Sequence, residues 1–347
     1  MSCLKNYPSP ISPIKVHEES DSLLVVSNLF KKFSEKEDSR GLKELNFTIE
    51  AGQVTAIIGE SGSGKSTLLK LIYGLIKVDE GEIVFRGERV KGPHEKLIPG
   101  HDSMRMVSQH FDDLNTYANV WDNVASRLSN TDLAKKEHQT QKALERLKIS
   151  QLKGQRIADL SGGEKQRVAI ARALITEPEI LLMDEPFNQI DSAFRDQLQS
   201  DMRQIVNETG LTVILVSHDP GEVMGLADNL VILHNGTIAA QGSPVYLYQN
   251  PPSAYVARML TKSNVLSPKE AGLLGIEEKH VAIHPEWIKL YADPVGDFKI
   301  ERITYRGFYE EIIIASDELN LRVYQMAEGK WKAGQLLKIE IIRIALL

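Results

Sequence analysis

Short apolar runs alternate with helical patterns through the first two thirds of the chain. The runs have strand length, and apolar residues that recur every three or four positions predict the helices between them. Because apolar strands separated by helices are typical of a parallel sheet with crossover helices, this part is predicted to be an α/β domain. Strands are predicted at 23–26, 45–49, 54–58, 180–183 and 212–216, a charged loop at 34–41, and helices at 65–75, 133–147, 163–175 and around 194–205.

The pattern changes after Gly242, where Pro251 and Pro252 and then residues 263–268 indicate a linker. Beyond residue 279, short β-rich runs separated by turn residues predict a small β-barrel. The predicted runs are 281–283, 300–305, 311–314, 321–324 and 336–344. We therefore expect four parts: a flexible tail at 1–20, an α/β domain at 21–241, a linker at 242–270 and an all-β domain at 271–347.

Composition narrows the class of protein. A chain of 347 residues, 42% hydrophobic and 25% charged, has room for two globular domains. The net charge of −6 disfavours a nucleic-acid partner, which would require a basic surface. The single cysteine, Cys3, fits a reduced cytosolic setting, and the prolines of the tail do not fit a secretory signal. Because we find no apolar stretch of spanning length, we expect membrane contact only through a partner.

A glycine-rich loop follows the predicted strand 54–58 and precedes a predicted helix. Its glycines let backbone N–H groups face a phosphate, the lysine would reach the β- and γ-phosphates, and the hydroxyl after it would bind Mg²⁺. The pattern predicts an ATP-binding loop, against the alternative of a plain glycine turn. Its residues are Gly59, Glu60, Ser61, Gly62, Ser63, Gly64, Lys65, Ser66 and Thr67.

Two carboxylates follow the apolar run 180–183. Asp184 is placed to bind Mg²⁺ at the edge of the sheet. Glu185, one residue later, should point elsewhere by the strand period and could act as general base on the attacking water. An apolar run that ends in Asp-Glu is often structural, so this prediction depends on the glycine-rich loop.

A third motif, Leu160 followed by Ser161, Gly162, Gly163 and Glu164, precedes Lys-Gln-Arg and a helical pattern. By itself it could be a serine N-cap followed by flexible glycines. Together with GESGSGKST and ILLMDE, it resembles the signature of the ABC ATPase family, and the resemblance covers residues 23–241. The fold it implies is a P-loop ATPase domain with a helical subdomain.

The resemblance also implies a composite site shared by two copies of the chain. The signature residues Ser161, Gly162, Gly163 and Glu164 of one copy are expected at the nucleotide of the other, with Ser161 and Gly163 on its γ-phosphate. Gln109 is similar to the glutamine that senses Mg²⁺ and water, and His218 is similar to the histidine that contacts the γ-phosphate. Asp191 is expected in communication across the dimer. Phe33 occupies the position of the aromatic that stacks on adenine, although Phe30 is the alternative.

Residues 282–286, 307–309 and 334–339 resemble the small TOBE-like barrel that follows the ATPase in importers of sugars, polyamines, sulfate or ferric iron. The alternative is a β appendage used only for dimerisation. Trp287 and Trp331 could line a pocket, although a core role suits them better. The implied protein is an importer ATPase at the cytoplasmic face of the membrane. Its implied partners are a second copy, a permease and possibly a solute-binding protein.

Two segments depart from the family pattern. Residues 187–191 read Phe-Asn-Gln-Ile-Asp, with Gln189 in an unusual place, and 110–115 carry Asp112 and Asp113 where an aromatic-rich run is common. The expected docking face for a permease is therefore more acidic than usual. The alternatives to an importer are an exporter subunit, a regulatory protein with slow turnover, and an ABC ATPase acting on nucleic acid or the ribosome. The last usually carries tandem cassettes or long coiled coils, which this sequence lacks.

Overall fold

The computed structural model of the protein describes residues 22–33, 41–96, 99–111, 113–188, 190–276 and 279–347. The predictions for the tail at 1–20 with Cys3, for the loop at 34–40, and for Asp112 and Gln189 concern residues outside these ranges. No helix of the described residues is long and apolar enough to cross a membrane.

The first part of the chain contains both predicted kinds of element. In order, the elements are β1 (Ser22–Lys32), β2 (Gly41–Glu50), β3 (Val54–Gly59), α1 (Lys65–Ile72), β4 (Glu80–Phe85), β5 (Glu88–Arg89), β6 (Met104–Val107), α2 (Val120–Ala125), α3 (Leu133–Arg146), α4 (Gly162–Leu174), β7 (Ile180–Asp184), α5 (Ser192–Thr209), β8 (Thr212–Ser217), β9 (Asn229–His234) and β10 (Thr237–Gly242).

The central sheet of the described residues has the strand order β10-β9-β3-β8-β7-β6. Strands β9, β3, β8, β7 and β6 are parallel, and β10 joins the edge as an antiparallel strand. Strands β3, β7 and β8 are buried along their whole length, because the sheet is covered on both faces. The prediction of a parallel sheet with crossover helices is confirmed.

Side chains of successive strand residues enter two different cores. Val54, Ala56 and Ile58 of β3 pack with helices α2 to α5, whereas Ile57 packs with α1 and the outer sheet. That outer sheet is antiparallel, with the order β2-β1-β4-β5. Helices α2 and α3 pack against α4, which gives a helical layer beside the central sheet.

The segment predicted as a linker contains regular structure. Its elements are α6 (Pro244–Gln249), α7 (Ala254–Thr261), β11 (Asn264–Leu266) and the start of α8 (Pro268–Leu273). The N-cap residues of α6, α7 and α8 are serines whose hydroxyls accept backbone N–H groups, which explains why such short helices form. The prolines that were interpreted as signs of a linker therefore lie next to helices or at their first position.

The last part of the described chain is built from antiparallel sheets. Its strands are β12 (Val281–Ile283), β13 (Ile288–Ala292), β14 (Phe298–Tyr305), β15 (Tyr309–Ala315), β16 (Asn320–Met326), β17 (Leu336–Ile341) and β18 (Ala345–Leu346). Five of them form a sheet with the order β13-β17-β14-β15-β16, and β11, β12 and β18 form another. The edge strands β13 and β16 meet through Gln325, whose Nε2 donates to the Ile288 carbonyl over 2.8 Å. Closure into a barrel stays a prediction.

The two tryptophans considered for a pocket have packing partners. Trp331 is 8% exposed and belongs to the core of this β-rich part. Trp287 stacks on His284 with 3.9 Å between ring centroids, and the Arg343 guanidinium lies 5.0 Å from its centroid. Both rings therefore contribute to packing.

Candidate functional site

The glycine-rich loop at residues 59–67 joins the end of β3 to the start of α1. Gly62 and Gly64 have φ angles of 84° and 104°, which favour glycine. A Cβ on Gly59 would lie 2.3 Å from the carbonyl oxygen of Leu233, so the loop also needs glycine for close approach. Because α1 starts at Lys65, the free N–H groups of its first turn face the loop.

Lys65 is buried inside the curve of this loop. Its Nζ donates to the carbonyl oxygens of Gly59 over 2.8 Å and Glu60 over 2.9 Å. Burial lowers the pKa of Lys65, and the nearby carboxylates of Glu185 and Asp184 oppose that effect. The ammonium therefore lies among carbonyl and carboxylate oxygens at the carboxyl end of the sheet. A phosphate bound there would be close to the positive charge of Lys65.

Ser66 and Asp184 form the second part of the site. The Ser66 hydroxyl donates to Asp184 Oδ1 over 2.8 Å, which connects the start of α1 to the end of β7. Burial raises the pKa of Asp184, and the Ser66 hydrogen bond and the charges of Lys70 and Lys65 act against this rise. A divalent cation would replace that hydroxyl proton as the partner of the carboxylate.

The residues present fit ATP with Mg²⁺. The buried Ser63 hydroxyl in the loop has no hydrogen-bond partner within the described part of the chain, which leaves a polar group for a phosphate oxygen. Among the described residues no group of three or more His, Cys, Asp or Glu side chains could hold a metal by itself. Ser66 and Asp184 could hold Mg²⁺ together with phosphate oxygens, because Mg²⁺ usually binds one or two protein carboxylates and substrate phosphates.

Glu185 lies just beyond β7 and receives three polar side chains. Gln109 Nε2 and Asn188 Nδ2 donate to its Oε2 over 3.2 and 2.7 Å, and His218 Nδ1 lies 3.4 Å from its Oε1. Its φ angle is 48°, an unusual conformation for a residue with a Cβ. The Glu185 side chain therefore contacts different partners from Asp184 because the chain turns at residue 185. The alternation of side chains along a strand is not the reason.

Asn188 is the contact that the sequence interpretation missed. It was noted only as part of a departure from the family pattern, but its amide provides the shortest contact to the Glu185 carboxylate. The remaining partners, Gln109 and His218, follow the ends of β6 and β8. Because parallel strands end at one edge of the sheet, three separate segments meet there. Gln109 contacts Glu185, and no hydrogen bond of the described residues joins it to Ser66 or Asp184.

The signature residues begin α4. Ser161 is exposed, and its hydroxyl donates to Glu164 Oε2 over 2.7 Å in a capping box. Gly162 and Gly163 form the first turn of the helix. No hydrogen bond among the described residues connects this segment to residues 59–67.

A buried ion pair fixes the body of α4. Arg167 Nη1 donates to Asp201 Oδ2 over 2.5 Å and to the Leu147 carbonyl over 2.9 Å. Lys148 and Gln197 also donate to Asp201. Burial raises the pKa of Asp201, but these hydrogen bonds outweigh that effect, and the pKa is lowered overall. Helices α4 and α5 and the end of α3 are held together at this point.

The remaining candidates lie at the surface. Phe33 follows β1 and is 54% exposed, and Phe30 is half-buried beside Lys32. The exposed ring of Phe33 is accessible for stacking, although the choice between the two stays a prediction. Asp191 is the exposed N-cap residue of α5, and its side chain accepts no capping hydrogen bond.

A cleft of about 250 Å³ lies between the central sheet and the helical layer. Its lining carries more basic than acidic side chains. Asp113, which the sequence presented as part of an acidic face, pairs with Arg172 and with Arg127, whose Nη2 lies 3.3 Å from its Oδ2. The lining comprises Tyr73, Lys96, Pro99, Gly100, His101, Asp102, Arg105, Met106, Asp113, Arg127, Arg172 and Ala173. The negative charge of Asp113 is therefore compensated by two arginines, which the sequence pattern did not indicate.

The conformation of the loop leads to a stability prediction. A Cβ on Gly64 would lie 2.4 Å from Leu42 Cδ2, and the positive φ adds strain. Gly64→Ala is expected to lower the free energy of unfolding by about 1–3 kcal/mol, measured by urea denaturation. Gly154→Ala is the control, because a Cβ there meets nothing within 4 Å. Equal stability of the two variants would contradict the assigned backbone strain.

Comparison with known proteins identifies the family. The family model described as ABC transporter matches residues 42–188. CbiO1 from Clostridium perfringens, described as part of the ABC transporter complex CbiONQ, is 30% identical with a TM-score of 0.60, and the match covers 66% of this chain and 91% of CbiO1. MJ1267 in its ADP conformation, described as an ATP-binding cassette of an ABC transporter, is 26% identical with a TM-score of 0.57, and 68% and 98% of the chains are covered.

These matches confirm the resemblance of the first part of the chain to ABC ATPases, including the α/β fold with its phosphate loop. The same match implies hydrolysis of ATP by the matched domain. The chain belongs to the ABC transporter family, as an ATP-binding subunit of an ABC transporter.

Proposed function

We propose that this subunit drives an importer, and that two copies close on two ATP molecules and reopen after hydrolysis. The observation that carries the proposal is the Glu185 carboxylate, held by Gln109 and Asn188 beside the Ser66–Asp184 pair and Lys65. A carboxylate oriented next to a phosphate-binding lysine is suited to accept a proton from water. The assignment of an importer rests on the resemblance of the β-rich part to TOBE-like barrels.

Each side chain of the site has a separate task in this mechanism. Lys65 and the N–H groups at residues 62–66 bind the phosphates, and Glu185 takes the proton of the water that attacks the γ-phosphorus. His218, 3.4 Å from Glu185, stands where it could contact the γ-phosphate and the carboxylate together. Mg²⁺, held by Ser66 and Asp184, would neutralise charge on the phosphates. Gln109 and Asn188 orient Glu185, so that little reorganisation is needed during the reaction.

The other half of each site would come from the second copy. Ser161 is exposed at the start of α4, and the N–H groups of this turn carry the positive end of the helix dipole. Facing a γ-phosphate, they would stabilise the charge that develops during phosphoryl transfer. The exposed position of Ser161 at the start of α4 supports a site completed by a dimer.

The cleft lined by Arg105, Arg127 and Arg172 is our proposed contact for the membrane permease. Lys96 pairs with Asp102, and Asp113 pairs with two arginines, so the second of these arginines and Arg105 leave the cleft with a positive surplus. A permease segment that carries carboxylates would fit this charge. CbiO1 is described as part of a complex, which supports a multi-subunit assembly for this chain as well. The surface of the docking cleft would then be basic, opposite to the expectation from the sequence.

Co-purification tests the transport proposal. The tagged chain, extracted from membranes in detergent, is expected to carry a polytopic subunit, and Arg127→Glu is expected to lose most of it while its own ATPase rate stays within twofold. Lys135→Glu on the exposed face of α3 is the matched control and should retain the subunit. Enrichment with ribosomes or DNA would favour the non-transport alternative and contradict the proposal. Uptake or efflux by vesicles that contain the complex distinguishes importer from exporter.

A further inference from the structure

Helix α7 lies in the segment predicted as a linker, but one of its side chains hydrogen-bonds to the strand beside the phosphate loop. The Tyr255 hydroxyl donates to the carbonyl oxygen of Leu233 over 3.2 Å. This is the carbonyl that a Cβ on Gly59 would meet at 2.3 Å, so it borders the first residue of the loop. Leu233 and Gly59 are also register partners of β9 and β3. The hydroxyl thus holds the strand that supports the entry to the loop.

Glu60, the next residue of the loop, lies close to the same phenol, because its backbone amide acts to lower the pKa of Tyr255. Lys65 Nζ donates to the Glu60 carbonyl over 2.9 Å. Tyr255 and Lys65 therefore both act near the first two residues of the loop.

The ring of Tyr255 is fixed by its surroundings. It stacks on the His234 ring with 3.8 Å between centroids and an angle of 20° between planes. Burial raises the pKa of Tyr255, and the Glu60 amide opposes this effect, so the phenol stays protonated and able to donate at neutral pH. A phenylalanine would give the same stacking and apolar contact without the hydrogen bond to Leu233, so the hydroxyl can be tested separately from the ring.

The far end of α7 is anchored in the β-rich part. The Ser263 hydroxyl contacts the Ala257 carbonyl over 2.8 Å and His284 Nδ1 over 2.6 Å. His284 Nε2 donates to the Tyr248 carbonyl over 2.6 Å, and both Ser263 and His284 are buried. Since α7 is bonded at both ends, Tyr255 is presented to the loop by a fixed helix.

We propose that Tyr255 is a positioning residue for ATP binding, which holds the entry to the phosphate loop at residue 59 through its hydrogen bond to Leu233, the register partner of Gly59. The inference rests on the proposed assignment of residues 59–67 as the ATP-binding loop. Tyr255 has no hydrogen bond to Glu185, Gln109 or His218 among the described contacts. Loss of its hydroxyl should therefore weaken the binding of the phosphates without changing the chemical step. In such a variant the nucleotide itself would have to order the loop, which costs binding free energy.

Tyr255→Phe is the test. Its Kd and KM for MgATP are expected to rise about three- to tenfold, the effect of one lost hydrogen bond, with kcat within twofold of wild type. Tyr246→Phe is the matched control, because Tyr246 is exposed on the neighbouring α6 and should bind MgATP as wild type does. A purely structural role would lower the melting temperature without nucleotide and leave Kd unchanged. An unchanged Kd, or a fall in kcat at unchanged Kd, overturns the proposal.

Lys65→Ala separates this inference from the proposed function. If Lys65→Ala binds MgATP as tightly as wild type, the assignment of the loop fails, and the role of Tyr255 fails with it. If Lys65→Ala loses binding and Tyr255→Phe keeps the wild-type Kd, only the role of Tyr255 is wrong. If both variants lose affinity and the control does not, both proposals are supported.

Discussion

Replacement of Glu185 by glutamine is expected to lower kcat for ATP hydrolysis by about 10²–10⁴-fold and to leave ATP binding intact. The amide keeps the size of the side chain but cannot accept the proton of the attacking water. The hydrogen bonds from Gln109 and Asn188 can still be made to its oxygen, so the geometry around residue 185 is preserved. The lost activity would therefore report the missing base.

Single-turnover hydrolysis and size-exclusion chromatography measure this result. An ATP-bound dimer of Glu185→Gln should accumulate, because closure occurs and the step that reopens the dimer does not. Glu137→Gln, which changes an exposed carboxylate on α3, is the control and should behave as wild type. Hydrolysis at the wild-type rate, or a variant that stays monomeric with bound ATP, would show that Glu185 is not the base.

Asp201→Asn is expected to lower the free energy of unfolding at pH 7 by about 3–5 kcal/mol, because it leaves the buried Arg167 guanidinium without its counter-charge. The asparagine has the same shape, so little packing is lost. Asp159→Asn breaks the exposed pair with Arg156 and should change the stability by less than about 1 kcal/mol. Urea denaturation of both variants provides the comparison.

The dependence of this difference on pH follows from the lowered pKa of Asp201. A carboxyl whose pKa is lower in the folded chain contributes stability above its unfolded pKa of about 4, and loses it as the pH falls through the folded value. Wild type and Asp201→Asn should thus converge in strongly acidic solution and differ most at neutral pH. A constant difference across this range would mean that the charge of Asp201 is not the cause.

The sequence alone was sufficient to predict those parts of the site whose residues are close together in the chain. The loop at 59–67 carries its own strand, glycines and helix start, so its position at the end of β3 could be predicted locally. Asp184 was predicted because it follows an apolar run and accompanies the glycine-rich loop, and His218 because it is similar to the histidine of the family.

Contacts between distant segments could not be predicted in this way. The pairing of Asp113 with Arg172 joins residues far apart in the chain and reverses the charge expected for the cleft. The conformation of Glu185, which lets Asn188 reach its carboxylate, depends on a turn that strand alternation does not describe. Helices α6 and α7 did have local signals, because a serine N-cap precedes each of them. The prediction of a linker depended instead on the nearby prolines.

The capping box of Ser161 and Glu164 has a consequence for the rate at which two subunits join. Because the box already orders the first turn of α4 in one chain, this half of the composite site requires no folding on contact. In the proposed dimer, docking would be an encounter of two formed surfaces, in which the Ser161 hydroxyl would exchange the Glu164 carboxylate for a phosphate oxygen. The rate of association should be limited by the orientation of the two subunits. The lifetime of the pair should be set by the nucleotide between them.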